Sequence, residues 1–337
     1  MERESQSAPR RVVLASRPSG EASEENFRVE EFEPPALEEG QVRVRVSVHS
    51  LDPYMRGRMD DAASYAAPAE VDGPMPAQGV GVVTESRSDM AVGTRVLAQT
   101  GWASEAVVPA KEATPLPDGI ADGHALGALG MPGLTAWTGL GILDLKDGET
   151  LVLGAATGAV GSVAGQIAKR RGARVVGVAG GDEKCRYATQ TLGYDACIDH
   201  RGKDARAIRE ELAPHCPDGI NGYFENVGGA TTEAVLPLMA QGGRIAICGM
   251  IAWYSGGESP PMAKVWRTIL VRRLQVTGFL VFDHWHRMGE FHAEVARGVA
   301  SGEIAALEHW TEGLEAAPRA FLEMLKGGNF GKTLVRV

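Results

Sequence analysis

Hydrophobic and polar residues alternate with a period of two in the first third of the chain. Residues 41–48 (QVRVRVSV) keep this pattern throughout, which is typical of a strand with one buried face. Residues 80–84 and 94–98 show it more briefly, and the segment between them contains Asp89 and Gly93, as expected of a turn. The pattern predicts a partly closed antiparallel sheet.

From about residue 130, short apolar runs alternate with helical patterns. The runs predict strands at 150–153, 174–178, 195–199, 220–226, 243–248 and 274–281. Helices are predicted at 159–171, 182–192, 204–213, 230–239, 262–271 and 287–300. This alternation predicts an α/β fold with a doubly wound parallel sheet.

The change of pattern also predicts the domain organisation. We expect residues 1–129 to form a β-rich domain and residues 130–300 to form the α/β domain. An apolar strand within 327–337 resembles the first third of the chain more than the middle. Residues 301–337 are therefore expected to return to the first domain.

Composition excludes several classes of protein. Of 337 residues, 43 are glycine, about twice the usual share, and they follow no collagen-like period. The net charge of −9 offers no positive field for nucleic acid or an anionic membrane surface. The four cysteines (Cys185, Cys197, Cys216 and Cys248) form no CxxC pair, so we expect free thiols rather than a zinc ribbon or a redox pair.

No targeting or membrane segment is evident. The N-terminal stretch MERESQSAPRR is charged and polar where a signal peptide needs an apolar run. Residues 123–143 contain no Asp, Glu, Lys or Arg, but Pro132 and several glycines favour a loop followed by a helix over a membrane span. We expect a cytoplasmic protein.

The strongest motif lies where the predicted strand at 150–153 enters a helix. The sequence GAATGAVG matches the dinucleotide fingerprint as AxGxxG, with Ala156, Gly158 and Gly161 at its fixed positions. Gly158 lets the backbone approach a pyrophosphate, Gly161 lets the helix pack against the strand, and the helix N-terminus offers free amides. A tight strand-to-helix turn without a ligand is the alternative.

The end of the next strand indicates which dinucleotide is bound. An NAD site would carry Asp or Glu about 20 residues after the glycine turn, and Ala179, Gly180 and Gly181 stand there instead. Small residues leave room for a 2′-phosphate, and Lys184 supplies a positive charge unless it is an ordinary solvated lysine. The sequence favours NADP.

Three further strand ends carry candidate cofactor contacts. His200 follows the third strand and is either a phosphate donor that titrates near neutral pH or a surface residue. Asn226 follows the fourth strand and either meets a ribose or nicotinamide amide or caps the next helix. Gly249 follows the fifth strand and allows close approach to a flat cofactor.

Several spaced motifs together carry a family resemblance. They are LDPYMRGRM (51–59), MPGLTAWTGL (131–140), the run GAATGAVGSVAGQIAKRRGARVVGVAGGDEKC, then FENVGG, GRIAICGMIAWY and GGNFGKTLVRV. The chain closely resembles the zinc-independent medium-chain dehydrogenases/reductases of the leukotriene B4 12-hydroxydehydrogenase (prostaglandin reductase), alkenal double-bond reductase and curcumin reductase type. The resemblance implies a GroES-like domain built from both chain ends, a Rossmann domain, a homodimer and NADPH-dependent reduction of an activated carbon–carbon double bond.

The resemblance also implies site residues. It assigns the pyrophosphate to Thr157, Gly158, Ala159 and Val160, and the 2′-phosphate to Lys184. Further cofactor contacts are implied for Asn226, Cys248, Gly249, Met250, Ile251, Tyr254, Phe279, Leu280, Val281 and Asn329.

Three departures bear on function. His200 stands where the family commonly has a tyrosine beside the adenosine phosphate, and Phe282 stands where some members have a tyrosine near the substrate carbonyl. Zinc-dependent relatives carry a GHE segment where this chain has AQGVGVV (77–83), which contains no His, Cys or Glu. The sequence thus predicts no metal and disfavours alcohol oxidation through a zinc alkoxide.

These residues suggest a mechanism in which an enone or enal takes hydride at its β-carbon and the resulting enolate is protonated at the α-carbon. Tyr54 is the best side-chain donor to the enolate oxygen, although it packs without proton chemistry in the alternative interpretation, and the cofactor ribose hydroxyl is a second candidate donor.

Arg56 is either an anchor for an acidic substrate group or a structural residue. Trp102 and Trp253 are either apolar walls of the substrate site or core residues. Phe282 is expected to lie near the substrate. A quinone reductase and a non-catalytic NADPH-binding protein remain alternative functions.

Overall fold

The computed structural model describes residues 8–256 and 260–337, which form two compact units. Unit 1 comprises the described chain up to Leu126 together with Glu308–Val337, and unit 2 comprises Gly127–Leu307. The pattern predicted the second change of unit at residue 300. It falls later because the backbone of Ala305 and the side chain of Gln166 exchange two hydrogen bonds, of 2.8 and 3.0 Å, within unit 2.

The strands and helices follow in chain order. The strands are β1 (Arg10–Leu14), β2 (Phe27–Glu31), β3 (Gln41–Ser50), β4 (Gln78–Ser86), β5 (Arg95–Gln99), β6 (Glu105–Pro109), β7 (Thr114–Pro115), β8 (Thr150–Gly154), β9 (Arg174–Ala179), β10 (Ala196–Asp199), β11 (Ile220–Glu225), β12 (Met239–Ile247), β13 (Gln275–Gly278), β14 (Glu308–Glu312) and β15 (Lys332–Arg336). The α-helices are α1 (Tyr54–Arg58), α2 (Asp122–Leu126), α3 (Met131–Leu143), α4 (Gly161–Arg170), α5 (Asp182–Gln190), α6 (Ala205–Leu212), α7 (Gly229–Val235), α8 (Met262–Arg272), α9 (Met288–Ser301) and α10 (Ala317–Leu325). Short 3₁₀ helices cover Glu24–Asn26, Ala110–Glu112, Ala213–His215, Leu236–Leu238, Ile251–Trp253, Val281–Arg287 and Leu314–Ala316.

Unit 2 is built on a six-stranded parallel sheet in the order β10-β9-β8-β11-β12-β13. β8 and β9 read as almost unbroken apolar runs because both faces of a parallel sheet are covered by helices. The order reverses between β8 and β11, which creates the crevice where open α/β sheets bind ligands. The predicted doubly wound fold is confirmed.

Unit 1 contains a seven-stranded sheet with the path β14-β15-β3-β4-β5-β7, in which β6 also pairs with β3. All its pairs are antiparallel except β14 with β15, and β1 pairs with β2 in a separate ribbon. β15 lies between β14 and β3, so the chain end does return to the first domain, as predicted. An apolar core containing Trp102, Phe321 and Val335 packs beneath this sheet.

The segment 123–143 is not one helix, because it divides into the end of α2 and the whole of α3. Among the described residues, no helix has the length and apolar character needed to cross a membrane.

Candidate active site

The candidate cofactor residues of unit 2 gather at the carboxyl edge of its parallel sheet. β8, β9, β10, β11 and β12 all end at this edge, and each is followed by a residue that the sequence analysis singled out. Tyr54, Arg56 and Asn329 belong to unit 1.

The turn after β8 is tightly wound around Ala155. Ala155 has a φ of 52°, in the left-handed region that alanine rarely adopts, and its carbonyl accepts a hydrogen bond from the Gly158 amide at 2.9 Å. A methyl group at Gly161 would lie 2.3 Å from the same carbonyl oxygen, so only glycine fits there. α4 then begins at Gly161, and its first amides lie at the turn that the fingerprint assigns to a pyrophosphate.

Tyr194 contacts the backbone of this turn. The sequence analysis did not identify it. Its buried hydroxyl lies 2.5 Å from the Gly161 carbonyl oxygen and 3.2 Å from that of Ala156. Its ring occupies the space where a side chain at Gly165 would stand. Nothing local in the sequence marks Tyr194, because the contact joins segments more than 30 residues apart.

A cluster of basic side chains lies at the end of β9. A methyl group at Gly181 would stand 2.9 Å from Nη1 of Arg201, and one at Gly180 would stand 3.2 Å from Nε2 of His200. Burial, reinforced by the charge of Arg201, lowers the pKa of the Lys184 ammonium. The carboxylate of Asp199 accepts hydrogen bonds from the amides of Gly181 (2.7 Å) and Arg201 (2.9 Å).

Arg201 is the second residue that the sequence analysis missed. No hydrogen bond or ion pair of its guanidinium occurs within residues 8–256 and 260–337. His200 was expected to titrate near neutrality, but partial burial lowers the pKa of its imidazole and leaves the ring largely neutral at pH 7. The permanent positive charge beside Lys184 therefore comes from Arg201.

The Glu225 side chain, and not that of Asn226, binds the turn that precedes the helix after β11. The Glu225 carboxylate accepts hydrogen bonds from the amides of Val227 (2.7 Å) and Gly228 (2.9 Å), and from the Thr232 hydroxyl. The Asn226 side-chain amide instead donates to the Gly154 carbonyl at 2.9 Å, which ties the ends of β11 and β8 together. The capping interpretation of Asn226 was wrong, and its contact with a ribose or nicotinamide stays a prediction.

The loop after β12 is held by hydrogen bonds to the end of β11. The amides of Cys248 and Gly249 donate to the Glu225 carbonyl at 2.9 and 3.1 Å, and the Tyr254 hydroxyl accepts from the Met250 amide at 3.3 Å. Burial, with a smaller effect from Glu225, raises the pKa of Cys248 to about 12, so this thiol stays protonated. The ring of Trp253 packs against Gly228.

The segment after β13 turns apolar side chains outward. Phe279 meets the ring of Phe224 edge to face at 6.3 Å, whereas Leu280 and Phe282 are 36% and 48% exposed. Phe282 has no hydroxyl to offer a substrate carbonyl, as the sequence already indicated.

Tyr54 opens helix α1 of unit 1. Burial, aided by the Asp52 carboxylate, raises the pKa of its phenol well above the usual value, so the hydroxyl keeps its proton at any physiological pH. Asn329 donates its side-chain amide to the Gly331 carbonyl at 2.7 Å, within its own turn.

Two predicted substrate contacts in unit 1 are core residues. Arg56 is 2% exposed, pairs with Asp60 at 2.8 Å and donates to the Gly20 carbonyl at 2.6 Å. This geometry favours the structural interpretation of Arg56 over an anchor for an acidic substrate. Trp102 is fully buried and stacks on Phe27 at 5.6 Å, so it fills the core and is not an exposed substrate wall.

Comparison with known proteins places this geometry in a family. Residues 10–116 match the N-terminal domain of oxidoreductases, and residues 159–297 match the family described as zinc-binding dehydrogenases. The chain is 46% identical to the NADPH-dependent curcumin reductase of Escherichia coli, over 97% of this chain and 96% of the relative. The chain belongs to the zinc-independent medium-chain dehydrogenases/reductases.

Other members of the family are similar over nearly their whole length. Mouse prostaglandin reductase 1 is 39% identical over 92% of this chain and 94% of its own. The crystal structure of CurA from Vibrio vulnificus in complex with NADPH is 45% identical, covers 97% of this chain and 99% of that one, and superposes with a TM-score of 0.92. In the described part of the chain, no group of three or more His, Cys, Asp or Glu residues is arranged to hold a metal ion.

Proposed function

We propose that this chain catalyses the NADPH-dependent reduction of the carbon–carbon double bond of α,β-unsaturated ketones and aldehydes. The observation that carries the proposal is the glycine turn after β8, beside Lys184 and Arg201 at the end of β9, in a chain 46% identical to a curcumin reductase. The glycine turn suits a pyrophosphate, and the two basic side chains suit a 2′-phosphate.

The residues present fit this cofactor. A Cβ at Gly161 would collide with the Ala155 carbonyl, so glycine lets α4 begin close against the turn with its first amides there, and the end of β9 presents cations where an NAD site would present a carboxylate. Thr157, Gly158, Ala159 and Val160 would hold the pyrophosphate, and Lys184, His200 and Arg201 would hold the 2′-phosphate. The other proposed contacts are Asn226, Cys248, Gly249, Met250, Ile251, Tyr254, Phe279, Leu280, Val281 and Asn329.

When bound, NADPH supplies the hydride that adds to the substrate β-carbon. Negative charge then develops on the carbonyl oxygen, and the Tyr54 hydroxyl donates a hydrogen bond to that oxygen. Tyr54 suits this role because its raised pKa keeps the proton on the phenol. Trp253 and the exposed Phe282 contribute apolar surface for a flat substrate, and protonation at the α-carbon completes the reaction.

The direct test is NADPH oxidation with a panel of a cinnamaldehyde-like enal, a simple alkenal, a cyclic enone and a quinone, repeated with NADH. We expect turnover of the enals or enones and a clear preference for NADPH. Turnover of quinones alone would favour the alternative reductase, and no NADPH consumption with any substrate would favour a non-catalytic binder. The quinone oxidoreductase of E. coli, at 21% identity and a TM-score of 0.78, has the same fold as this chain. At this identity, a shared fold does not indicate a shared substrate.

The donor assignment has its own test. Tyr54→Phe removes only the hydroxyl and should lower kcat about tenfold or more while leaving the KM for NADPH unchanged. Equal kcat values for the two enzymes would reject Tyr54 as the donor.

The assignment of Arg201 is tested by binding alone. Arg201→Gln should weaken the binding of 2′,5′-ADP about tenfold, measured by calorimetry, and should leave 5′-AMP binding unchanged, since only the first ligand carries the 2′-phosphate. Arg206→Gln, on the exposed face of α6, is the matched control. Parallel losses for both nucleotides would contradict a 2′-phosphate contact.

We also propose that the chain forms a homodimer through the exposed face of α8 and the outer edge of β13. Met262, Trp266, Leu270 and Val271 on α8 are 56–76% exposed, and β13 is an edge strand with a free side. Leu270→Glu should convert a dimer to a monomer in analytical ultracentrifugation, whereas Val92→Glu, at an apolar residue 63% exposed in unit 1, should not. A cytoplasmic location stays a prediction.

A further inference from the structure

A buried ion pair joins the end of the chain to the segment that precedes Tyr54. Lys332, on β15, is 2% exposed, and Asp52, between β3 and α1, is 5% exposed. The Lys332 ammonium lies 2.5 Å from Oδ1 of Asp52 and also donates to the Leu51 carbonyl at 2.8 Å. The Ser50 hydroxyl donates to the second carboxylate oxygen of Asp52.

Backbone contacts extend this connection to the first turn of α1. The Leu51 amide donates to the Thr333 carbonyl at 3.1 Å, so β15 holds the segment by main chain as well as by side chain. The Asp52 carbonyl accepts from the Met55 amide at 3.1 Å, which closes the turn containing Tyr54. The position of Tyr54 is therefore defined by β15, almost 280 residues further along the chain.

Such a pair is a poor source of stability. Removing two charges from water costs about as much as their attraction returns, and apolar residues of similar size often replace a buried pair without loss. What an apolar pair cannot reproduce is the direction of the bonds to the Leu51 carbonyl and the Asp52 carboxylate. The pair is better suited to fixing the orientation of the segment than to holding unit 1 together.

We propose that Lys332 and Asp52 are positioning residues, which hold the segment 50–54 so that the Tyr54 hydroxyl points correctly at the enolate oxygen. This inference rests on the proposed function, specifically on Tyr54 as the donor. The Asp52 carboxylate also adds to burial in raising the pKa of the phenol.

The test is a double-mutant cycle with an apolar replacement of the pair. Lys332→Met combined with Asp52→Leu should fold, as judged by circular dichroism, and should keep the 2′,5′-ADP affinity of unit 2. Its kcat for an enone should fall about tenfold in the Tyr54 enzyme, since small misplacements of a reacting group are costly. In the Tyr54→Phe background the same replacement should change kcat less than about twofold, because there is no hydroxyl left to misplace.

The cycle separates positioning from a general structural effect. An equal loss of kcat in the two backgrounds would overturn the positioning role and leave Tyr54 as donor intact. An unchanged kcat for Tyr54→Phe alone would overturn the donor assignment, and this inference with it. Lys326→Met, at a lysine 69% exposed on the surface of unit 1, is the matched control and should leave kcat unchanged in both backgrounds.

A second variant keeps the test decisive if the apolar pair fails to fold. Asp52→Asn retains an oxygen that accepts from Lys332, but it removes the charge and replaces the oxygen that accepts from the Ser50 hydroxyl with an NH2 group. We expect about a threefold fall in kcat in the Tyr54 enzyme and none in the Tyr54→Phe enzyme. The same loss in both would again contradict the inference.

Discussion

The buried polar groups at the ligand edge of unit 2 have more hydrogen-bond partners than those around Trp102 in unit 1. In unit 2, Glu225 has three hydrogen-bond donors, Gln166 bonds to Ser162 and Ala305, and the Tyr194 hydroxyl meets two carbonyls. In unit 1, both ring nitrogens of His49, Nε1 of Trp102 and Oγ1 of Thr333 are buried without a partner among the described residues. Hydrogen bonds fix the ligand edge of unit 2, whereas a buried group without a partner in the described part of the chain, such as those in unit 1 or Thr138 Oγ1 and Arg244 Nε in unit 2, is expected to reduce stability.

Two of the residues with unpartnered groups in unit 1, His49 and Trp102, are in contact with each other. His49 stacks on Trp102 with ring centroids 6.2 Å apart, and the Cα of His49 pairs with that of Val335 across β3 and β15. Burial lowers the pKa of His49 to about 3, because an imidazolium would be desolvated there. Removing polar groups from each unit and measuring the free energy of unfolding tests whether their hydrogen-bond partners make the difference.

The largest effect is expected in unit 2, at Glu225. Glu225→Ala leaves the buried Gly228 amide, the partly buried Val227 amide and the Thr232 hydroxyl without this acceptor and should lower the free energy of unfolding by about 4 kcal/mol. Thr232→Val removes one of the three bonds and should cost about 1 kcal/mol. Guanidinium titration followed by circular dichroism measures both. If the two variants lose the same free energy of unfolding, the bonds from Glu225 to the two amides contribute nothing beyond its bond to Thr232.

The next largest effect concerns the fit of Tyr194. A methyl group at Gly165 would lie 2.0 Å from the Tyr194 ring, so Gly165→Ala must displace the ring and weaken its bond to the Gly161 carbonyl. We expect a loss of about 3 kcal/mol and weaker 2′,5′-ADP binding. Gly141→Ala, on α3 with open space around it, is the control and should be neutral or stabilising. A neutral Gly165→Ala would show that the turn tolerates movement of Tyr194.

In unit 1, His49 should make stability depend on pH. With a folded pKa of about 3 and an unfolded value near 6.5, the unfolded chain binds the extra proton below pH 6.5, so stability falls as the pH decreases from 6.5 towards 3. The contribution should be complete at pH 7 and reduced by about 2 kcal/mol at pH 5.

The measurement is the change in unfolding free energy between pH 7 and pH 5. His49→Leu should reduce this change by about 2 kcal/mol relative to the parent. His286→Leu, at an exposed histidine, should not alter it. An identical pH dependence in His49→Leu and the parent would contradict the buried neutral imidazole.

The smallest expected effect contrasts two buried threonines. Thr333→Val in unit 1 removes a hydroxyl that has no partner and should stabilise by about 1 kcal/mol. Thr135→Val in unit 2 removes a hydroxyl that donates to the Met131 carbonyl at 2.8 Å and should destabilise slightly. Thermal unfolding of the two variants would give shifts of opposite sign. Shifts of the same sign would remove the contrast between the units.

The sequence predicts unit 2 much better than unit 1. Each strand of unit 2 is followed by its helix, so periodicity within a short window finds both. The errors are local: the helix expected at 230–239 ends at Val235, because a 3₁₀ turn containing Pro237 follows, and β12 begins at Met239 rather than 243. In unit 1 the short strands β1, β2, β6, β7 and β14 were not predicted, because runs of two to five residues show little periodicity, and the partner of β6 also lies about 60 residues away.

The same distinction applies to the candidate site. The glycine turn and Lys184 were found because the fingerprint is contiguous or follows at a fixed spacing. Tyr194, Arg201 and the Lys332–Asp52 pair were not found, since each acts through a contact between segments that only the folded chain brings together. Asn226 was identified as a candidate, but the partner of its side chain, the Gly154 carbonyl, lies 72 residues away and is not indicated by the local sequence.

The place of β15 inside the sheet of unit 1 sets an order of folding during synthesis. The strands of unit 2 are all complete before residue 308 leaves the ribosome, so unit 2 can fold as a unit while the chain is still growing. Unit 1 is started first but lacks an interior strand until residue 336 has been made. Of the two units, the one that is begun first is thus the last to be finished, and until then the edge of β3 that β15 will cover is open to incorrect partners.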